Sequence, residues 1–209
     1  MSGNLLHHRA SRLDLLFLGL TMIFVGYFMV WLPGPAAGLQ LIGVELGEWI
    51  KFLGVGGRRT WFYFPPIVIG MTLGLLAAMW PNDRRGVWLM RGLAVAVAMV
   101  AFPALAVIQL EPRSEWLARV LGIALVALMA MAGALLSSRS PGARWPWLAI
   151  GLVTLAGAAL PTLQYFAIRP TVEAIMLRPL GTGFGVWLNA AGSLLVAAVA
   201  LIEWRAARK

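Results

Sequence analysis

Six stretches of the chain are each apolar over about 20 residues or more, and this feature constrains the fold more than any other. They run over 13–32, 61–80, 87–110, 115–136, 145–168 and 182–204. At 1.5 Å of rise per residue, about 20 helical residues cross the hydrocarbon core of a bilayer. Each stretch is apolar around its whole circumference, unlike the amphipathic helices of soluble bundles. The sequence predicts one all-α domain over 1–209, a polytopic integral membrane bundle of six transmembrane helices.

Composition agrees with this fold and excludes several kinds of chemistry. The chain is 61% hydrophobic and only 12% charged, and it has no cysteine. Soluble domains are closer to half apolar and a quarter charged. Without cysteine there is no thiolate nucleophile, disulfide or iron–sulfur cluster, and the two histidines, His7 and His8, precede the first apolar stretch. We therefore expect a protein that is not an enzyme, with no cofactor, no metal site and no catalytic residue.

The positive charge predicts orientation rather than nucleic-acid binding. The formal net charge is +9, and the 17 lysines and arginines divide between the two sides of the six-helix arrangement. Ten lie on the side of the termini, and the other seven lie opposite, at Lys51, Arg58, Arg59, Arg113, Arg119, Arg169 and Arg178. Cytoplasmic loops collect lysine and arginine. We predict a multi-pass protein of the plasma (inner) membrane with both termini in the cytoplasm, and no nucleic-acid partner.

Tryptophan gives an independent check on the ends of the spans. All ten tryptophans fall at or near a predicted span end. The amphipathic indole ring prefers the headgroup level of a bilayer. The tryptophan positions therefore support the predicted boundaries.

Charged residues lie close to four span ends and nowhere near a span centre. These residues are Asp14, Arg91, Arg119 and Glu203. Long side chains near a helix end reach the headgroups by snorkelling, so we expect an anchoring role for all four. Glu115 lies four residues before Arg119, which is the spacing of an ion pair on a helix surface. A proton relay along the membrane interior is not expected, because its carboxylates or imidazoles are missing.

The long loop after the first span contains an amphipathic segment. On a helical wheel, residues 39–53 gather an apolar face while Gln40, Glu45, Glu48 and Lys51 spread over the other side. The apolar face consists of Leu39, Ile42, Leu46, Trp49, Ile50 and Leu53. This segment is too short and polar to span, so we predict a short interfacial helix on the outer face. It either shields the bundle or serves as a docking or gating helix. A second short outer helix is predicted over 170–177.

Glycines at the start of the last span predict a site that contacts an anion. Gly181 and Gly183 open the last span, and backbone N–H groups at a helix start attract anions. Together with Arg58, Arg59 and Arg178 they predict contact with a lipid headgroup or a small anion. No soluble strand precedes these glycines, which excludes a dinucleotide fingerprint.

Small residues inside the spans indicate close helix packing. Gly70 and Gly74 form a small-xxx-small pair, and Gly192 lies in a run of small residues. The packing is either internal or against another subunit. Pro103 and Pro161 predict kinks that widen the outer half of the bundle, either as a vestibule or as room for the loop helix.

These features favour two functions. The first is a noncatalytic integral membrane subunit that packs against and stabilises a larger membrane assembly, with membrane lipids and other membrane protein subunits as partners. The alternative is a small-solute or lipid transporter component with an outward-facing vestibule. Its cargo would be apolar or neutral, because no buried charge is available to pair with an ion.

Overall fold

The computed structural model describes residues 2–34, 40–53, 56–136 and 144–207, with side chains for 11–34, 40–52, 59–135 and 144–207. Within these residues the chain forms eight α-helices and one two-stranded antiparallel sheet. The elements are α1 (Ser2–Phe28), β1 (Val30–Leu32), β2 (Leu41–Ile42), α2 (Gly43–Ile50), α3 (Phe64–Ala78), α4 (Arg85–Ala98), α5 (Leu105–Leu110), α6 (Arg113–Leu136), α7 (Trp145–Met176) and α8 (Phe184–Ala206). Short 3₁₀ segments cover Lys51–Leu53, Gly56–Tyr63 and Met99–Ala101.

Five helices of the described part are long and apolar enough to cross a membrane. The qualifying segments are Ser11–Phe28, Arg59–Ala78, Arg113–Leu135, Trp145–Met176 and Phe184–Ala206. They correspond to five of the six predicted spans. By helix length and hydropathy, the fold is that of a multi-pass membrane protein.

The third predicted span, 87–110, is not one helix, which corrects the sequence expectation. Helix α4 ends at Ala98, and after a 3₁₀ turn the backbone becomes extended at Phe102, where ψ is 130°. Helix α5 begins only at Leu105. Pro103 causes the break, because it has no N–H to donate and disfavours helical geometry at the residue before it. The sequence predicted only a kink here.

Helix α7 is longer than predicted. It is continuous over 32 residues and includes Pro161 and Pro170 in its interior. The predicted separate helix over 170–177 is therefore the last part of α7. A single proline removes one hydrogen bond from a helix, and packing against neighbouring helices compensates for that loss. The helix ends at Leu177, which has left-handed geometry with φ of 52° and ψ of 36°.

The loop between the first two predicted spans also differs in detail from the prediction. The predicted helix over 39–53 is regular only in α2, which is preceded by β2 and followed by the 3₁₀ turn Lys51–Leu53. Helix α1 ends at Phe28, so the end of the first predicted span instead forms β1, paired with β2. This pairing holds the start of α2 beside the end of α1.

Helix α3 lies at the centre of the bundle. It packs against α4 and α6 on one side and against α7 and α1 on the other. Because neighbours surround it, α3 is buried at almost every position from Pro65 to Ala77. Its side chains form the main core with residues of α1, α4, α6, α7 and α8. The bundle thus consists of α1, α7 and α8 on one side of α3, and α4 and α6 on the other.

Glycines allow α1 and α8 to touch along their backbones. A Cβ on Gly19 would lie 2.9 Å from the carbonyl oxygen of Gly192, and one on Gly192 would lie 2.6 Å from that of Gly19. The same contact recurs between Gly26 and Gly185. Gly70 packs closely too, since its Cβ would lie 2.7 Å from the Ala94 carbonyl oxygen, whereas Gly74 has only ordinary contacts. These close approaches are all within the chain.

Candidate functional site

Six charged side chains meet at the end of the bundle where α1 and α7 terminate, and we call them the ion cluster. Glu48 comes from α2 and Lys51 from the turn after it, while Arg59 comes from the 3₁₀ segment that leads into α3. The other three, from the start of α6 and the residue that follows α5, are Glu111, Glu115 and Arg119. The cluster therefore joins the loop between α1 and α3 to α6, on the far side of α3.

Arg59 is the centre of the ion cluster. The residue is only 3% exposed, and its Nη2 lies 2.7 Å from Glu111 while its Nε lies 2.9 Å from Glu115. Its Nη1 lies 3.8 Å from Glu48 and 3.5 Å from the carbonyl oxygen of Gly47. The planar guanidinium fork suits several carboxylates at once. Arg59 is therefore fully engaged by this chain.

Arg119 completes the cluster on α6. It is 4% exposed, its Nη1 donates to Glu48 at 3.0 Å, and its Nε donates to the Ala101 carbonyl oxygen at 2.9 Å. Ala101 precedes the break at Pro103, and in an unbroken helix its carbonyl would accept from the residue four positions later. The guanidinium also lies 3.6 Å from the ring centroid of Tyr63, whose hydroxyl donates to Glu48 at 2.7 Å. Arg119 thus provides a donor for the carbonyl that the helix break leaves free, and the same hydrogen bond helps to hold Arg119 in the ion cluster.

Two carboxylates of the ion cluster, those of Glu48 and Glu111, are held in their charged form. Burial favours the neutral acid of Glu48, but hydrogen bonds from Tyr63 and Arg119 outweigh it and lower the pKa below its ordinary value. Burial acts in the same sense on Glu111, where hydrogen bonds from Arg59 and Lys51 again lower the pKa. Lys51 lies 3.5 Å from Glu48 and 3.1 Å from Glu111. Ionised carboxylates already paired with cations are poor proton acceptors.

A second apolar cluster lies beneath α2 and closes the same end of the bundle. Leu46 and Ile50 are at most 1% exposed and pack with Trp31, Phe62 and Tyr165. Trp31 was predicted at a membrane interface, but it is fully buried and its Nε1 donates to the Gly26 carbonyl oxygen at 2.9 Å. Helix α2 therefore lies over the helix ends, in the region where the prolines suggested a vestibule or room for a covering helix.

The predicted docking face of α2 is used largely by the chain itself. Leu46 and Ile50 have no free surface for a partner, and Ile42 is half-buried. Trp49 is 57% exposed and contacts Phe52, which is 74% exposed. Leu39 and the side chain of Leu53 lie outside the described residues. Of the described residues of this face, two are covered by the chain, one is partly covered, and Trp49 is exposed.

The residues predicted to bind an anion are engaged by different elements. Arg59 belongs to the ion cluster, whereas Gly183 packs against β1 and its N–H donates to the Trp31 carbonyl oxygen at 2.9 Å. The Gly181 carbonyl accepts a hydrogen bond of 2.8 Å from Tyr165. Arg178 is half-buried, and the side chain of Arg58 lies outside the described residues. Anion binding by this set stays a prediction.

The opposite end of the bundle, where α1 and α4 begin and α8 ends, is called the basic end. Here Arg12 on α1 pairs with Glu203 on α8 at 3.1 Å. Glu203, Arg91 and Arg119 are each 7% exposed or less, so the prediction that they snorkel is wrong. Bundle packing covers their side chains instead. Asp14 is exposed.

Arg91 at the basic end is buried without a carboxylate. It is 5% exposed, and its Nη2 donates to Asn82 at 2.6 Å and to the Ala77 carbonyl oxygen at 3.4 Å. Its Nε and Nη1 are buried and have no hydrogen-bond partner among the described atoms. Trp88, one helical turn earlier, places its ring centroid 4.7 Å from the guanidinium carbon. Sequence reasoning missed this site, although Trp88 and Arg91 have the i, i+3 spacing that places them on one helix face.

The described residues contain no group of three or more histidine, cysteine, aspartate or glutamate residues placed to hold a metal ion.

No protein-family model, curated protein or solved structure matches this chain.

Proposed function

We propose that this protein is a noncatalytic integral subunit that packs against and stabilises a larger membrane assembly. In this proposal the chain crosses the plasma (inner) membrane six times, with α4 and α5 together forming a broken third crossing. Both termini face the cytoplasm, which the larger share of lysine and arginine on that side supports.

The observation that carries the proposal is the free face of α6. Only 28% of the apolar, membrane-spanning stretch of α6 is buried inside the bundle. This is the lowest share among the five long helices of the described part. Its packing partners within the bundle are mainly α3 and α4. On the face of α6 that points away from the bundle, leucine recurs at intervals of seven residues. These residues are Leu121, Leu128 and Leu135, which are 59%, 61% and 77% exposed. Leucine at this period forms the contact seam of paired helices, so the fitting occupant is an apolar helix of another subunit.

The charged groups of the chain support the noncatalytic part of the proposal. In the ion cluster, three carboxylates are matched by three cations, and the bonds join α2 and the 3₁₀ segment before α3 to the start of α6. A paired network of this kind fixes the positions of the helices. It leaves none of its three carboxylates without a cation for acid–base work.

Gentle detergent extraction from native membranes tests the proposal. We expect the tagged chain to purify with a stoichiometric membrane protein partner. The double substitution of Leu121→Ala and Leu128→Ala should release that partner. The matched control is the double substitution of Leu152→Ala and Leu163→Ala on α7, where the leucines are 60% and 66% exposed. Partner loss with the control pair, or a wild-type chain that purifies alone and monodisperse, would contradict the proposal.

A further inference from the structure

We propose that Arg91 and the adjoining groove between α4 and α6 bind an anionic phospholipid. The phosphate would lie on the guanidinium, and an acyl chain would lie along the groove. This site is at the basic end of the bundle, away from the residues that the sequence predicted for anion contact. It does not depend on the role of the chain as a subunit.

The groove has the size and surface that an acyl chain requires. It has a volume of about 520 Å³ and is bordered by Gly92 and Val95 on α4 and by Ala130, Met131 and Ala134 on α6. Small residues keep it open, and a Cβ on Gly92 would meet nothing within 4 Å. Binding cavities for small molecules commonly have volumes of about 300–1,000 Å³. A lipid chain therefore fits the groove, and the apolar walls suit no part of a free phosphate ion.

Arg91 supplies the polar end of the same groove. It lines the groove, is 5% exposed, and has two donors, Nε and Nη1, without a partner. A phosphodiester carries a negative charge and two oxygens, which match the guanidinium fork. None of the ion pairs in the described part of the chain includes Arg91. The missing counter-charge favours a lipid with net negative charge over a zwitterionic one.

The surroundings of Arg91 provide both rigidity and access. Asn82 accepts from the Arg91 Nη2 and donates to the Ala134 carbonyl oxygen at 2.6 Å, so the guanidinium is fixed relative to α6. The Trp88 ring, which is 55% exposed, covers the guanidinium from the outside. In this proposal the Trp88 ring turns aside to admit the phosphate and gives up the hydrogen bond of 3.2 Å from its Nε1 to the Asn82 carbonyl oxygen. Arg84 and Arg85 are exposed at the start of α4, at the same end of the bundle.

Native mass spectrometry of the purified full chain tests the proposal. The probes are phosphatidylglycerol and phosphatidylcholine with the same acyl chains. We expect the wild type to retain phosphatidylglycerol several-fold more than phosphatidylcholine. Arg91→Gln should remove this preference, whereas Arg144→Gln, which neutralises an exposed arginine, should keep it.

A second pair of variants tests the groove without changing charge. Gly92→Leu fills the groove and should reduce phosphatidylglycerol retention. Gly86→Leu is the control, because a Cβ there also meets nothing within 4 Å but Gly86 does not line this groove. If Arg91→Gln does not fold, the comparison of Gly92→Leu with Gly86→Leu still tests whether the groove binds the lipid.

Three results would overturn the proposal. The first is undiminished phosphatidylglycerol preference in Arg91→Gln, and the second is equal retention by Gly92→Leu and Gly86→Leu. The third is displacement of the lipid preference by millimolar inorganic phosphate together with no effect of Gly92→Leu. That combination would identify a site for free phosphate instead of a lipid.

Discussion

The two ends of the bundle bury arginine in opposite ways. In the ion cluster, Arg59 and Arg119 are each bonded to carboxylates of other elements. At the basic end, Arg91 is equally buried but is bonded only to an amide and a carbonyl, with two donors left over. The same residue type therefore serves two purposes. Arg59 and Arg119 are paired within the chain, whereas Arg91 keeps two buried donors that we propose a lipid phosphate accepts from.

The difference also predicts where mutation should cost stability. Removing one partner of a buried ion pair leaves the other charge without compensation, and this is strongly destabilising. Removing a buried charge that has no counter-charge leaves no such orphan. Neutralising one arginine at a time should therefore separate the two ends.

The largest effect is expected at Arg59. Arg59→Gln leaves Glu111 and Glu115 without their main cation, and the free energy of unfolding should fall by about 3 kcal/mol. Unfolding in mixed micelles with increasing dodecyl sulfate measures this change. Arg113→Gln is the control, since Arg113 is exposed at the same end, and its effect should be within about 0.5 kcal/mol. Equal effects of the two substitutions would contradict a structural role for the ion cluster.

Acid should loosen the ion cluster before it affects the basic end. The pKa values of Glu48 and Glu111 are lowered in the folded chain, so their stabilisation is complete above the unfolded value of about 4.3. It is lost as the pH falls from there through the lowered values. Hydrogen exchange should show α2 losing protection at such pH while the end of α8 keeps it. Glu48→Gln should weaken this pH dependence, whereas Glu45→Gln should not. Loss of protection at the end of α8 before α2 would contradict the difference between the two ends.

A smaller effect is expected for the ion pair of the basic end. Arg12 is 38% exposed and Glu203 is 9% exposed in their side chains, so solvent screens part of the interaction. Arg12→Gln should lower the unfolding free energy by about 1 kcal/mol, clearly less than Arg59→Gln. The same micelle titration measures it, with Arg144→Gln as the exposed control. If Arg12→Gln lowered the unfolding free energy as much as Arg59→Gln, the two ends of the bundle would not differ in how strongly their ion pairs stabilise the fold.

The smallest stability change is expected at Arg91. Arg91→Gln removes a buried charge without leaving a carboxylate unpaired, and glutamine retains a donor for Asn82. The unfolding free energy should change by about 0.5 kcal/mol or less. Thermal unfolding in detergent without added lipid measures this. A loss of several kcal/mol would show that Arg91 is structural, like Arg59.

Much of the helix arrangement is predictable from sequence, because hydropathy and proline act locally. Five of the six apolar stretches form long helices as expected. Pro103 marks the break in the third, but its extent depends on tertiary contacts. The carbonyl of Ala101 finds a donor in Arg119, 18 residues away, which allows the helix to stop. Pro170, by contrast, is absorbed into α7.

The ion cluster could not be predicted in the same way, because its members come from separate segments. The spacing of Glu115 and Arg119 predicted a pair on one helix face. In the structure Glu115 pairs with Arg59, and Arg119 pairs with Glu48. The sequence contains the charges of the cluster and the apolar face of α2, but only packing against α3 and α6 decides which of them meet. Arg91 was missed for the same reason, since its burial depends on the loop at Asn82 and on the end of α6.

The contrast between the ends is tested most directly by the shift in melting temperature that phosphatidylglycerol causes in three proteins. A ligand that binds only the folded state raises that temperature. We predict a rise for the wild type, a similar rise for Arg119→Gln from its lower starting value, and none for Arg91→Gln. An equal rise in Arg91→Gln, or its loss in Arg119→Gln alone, would contradict the account.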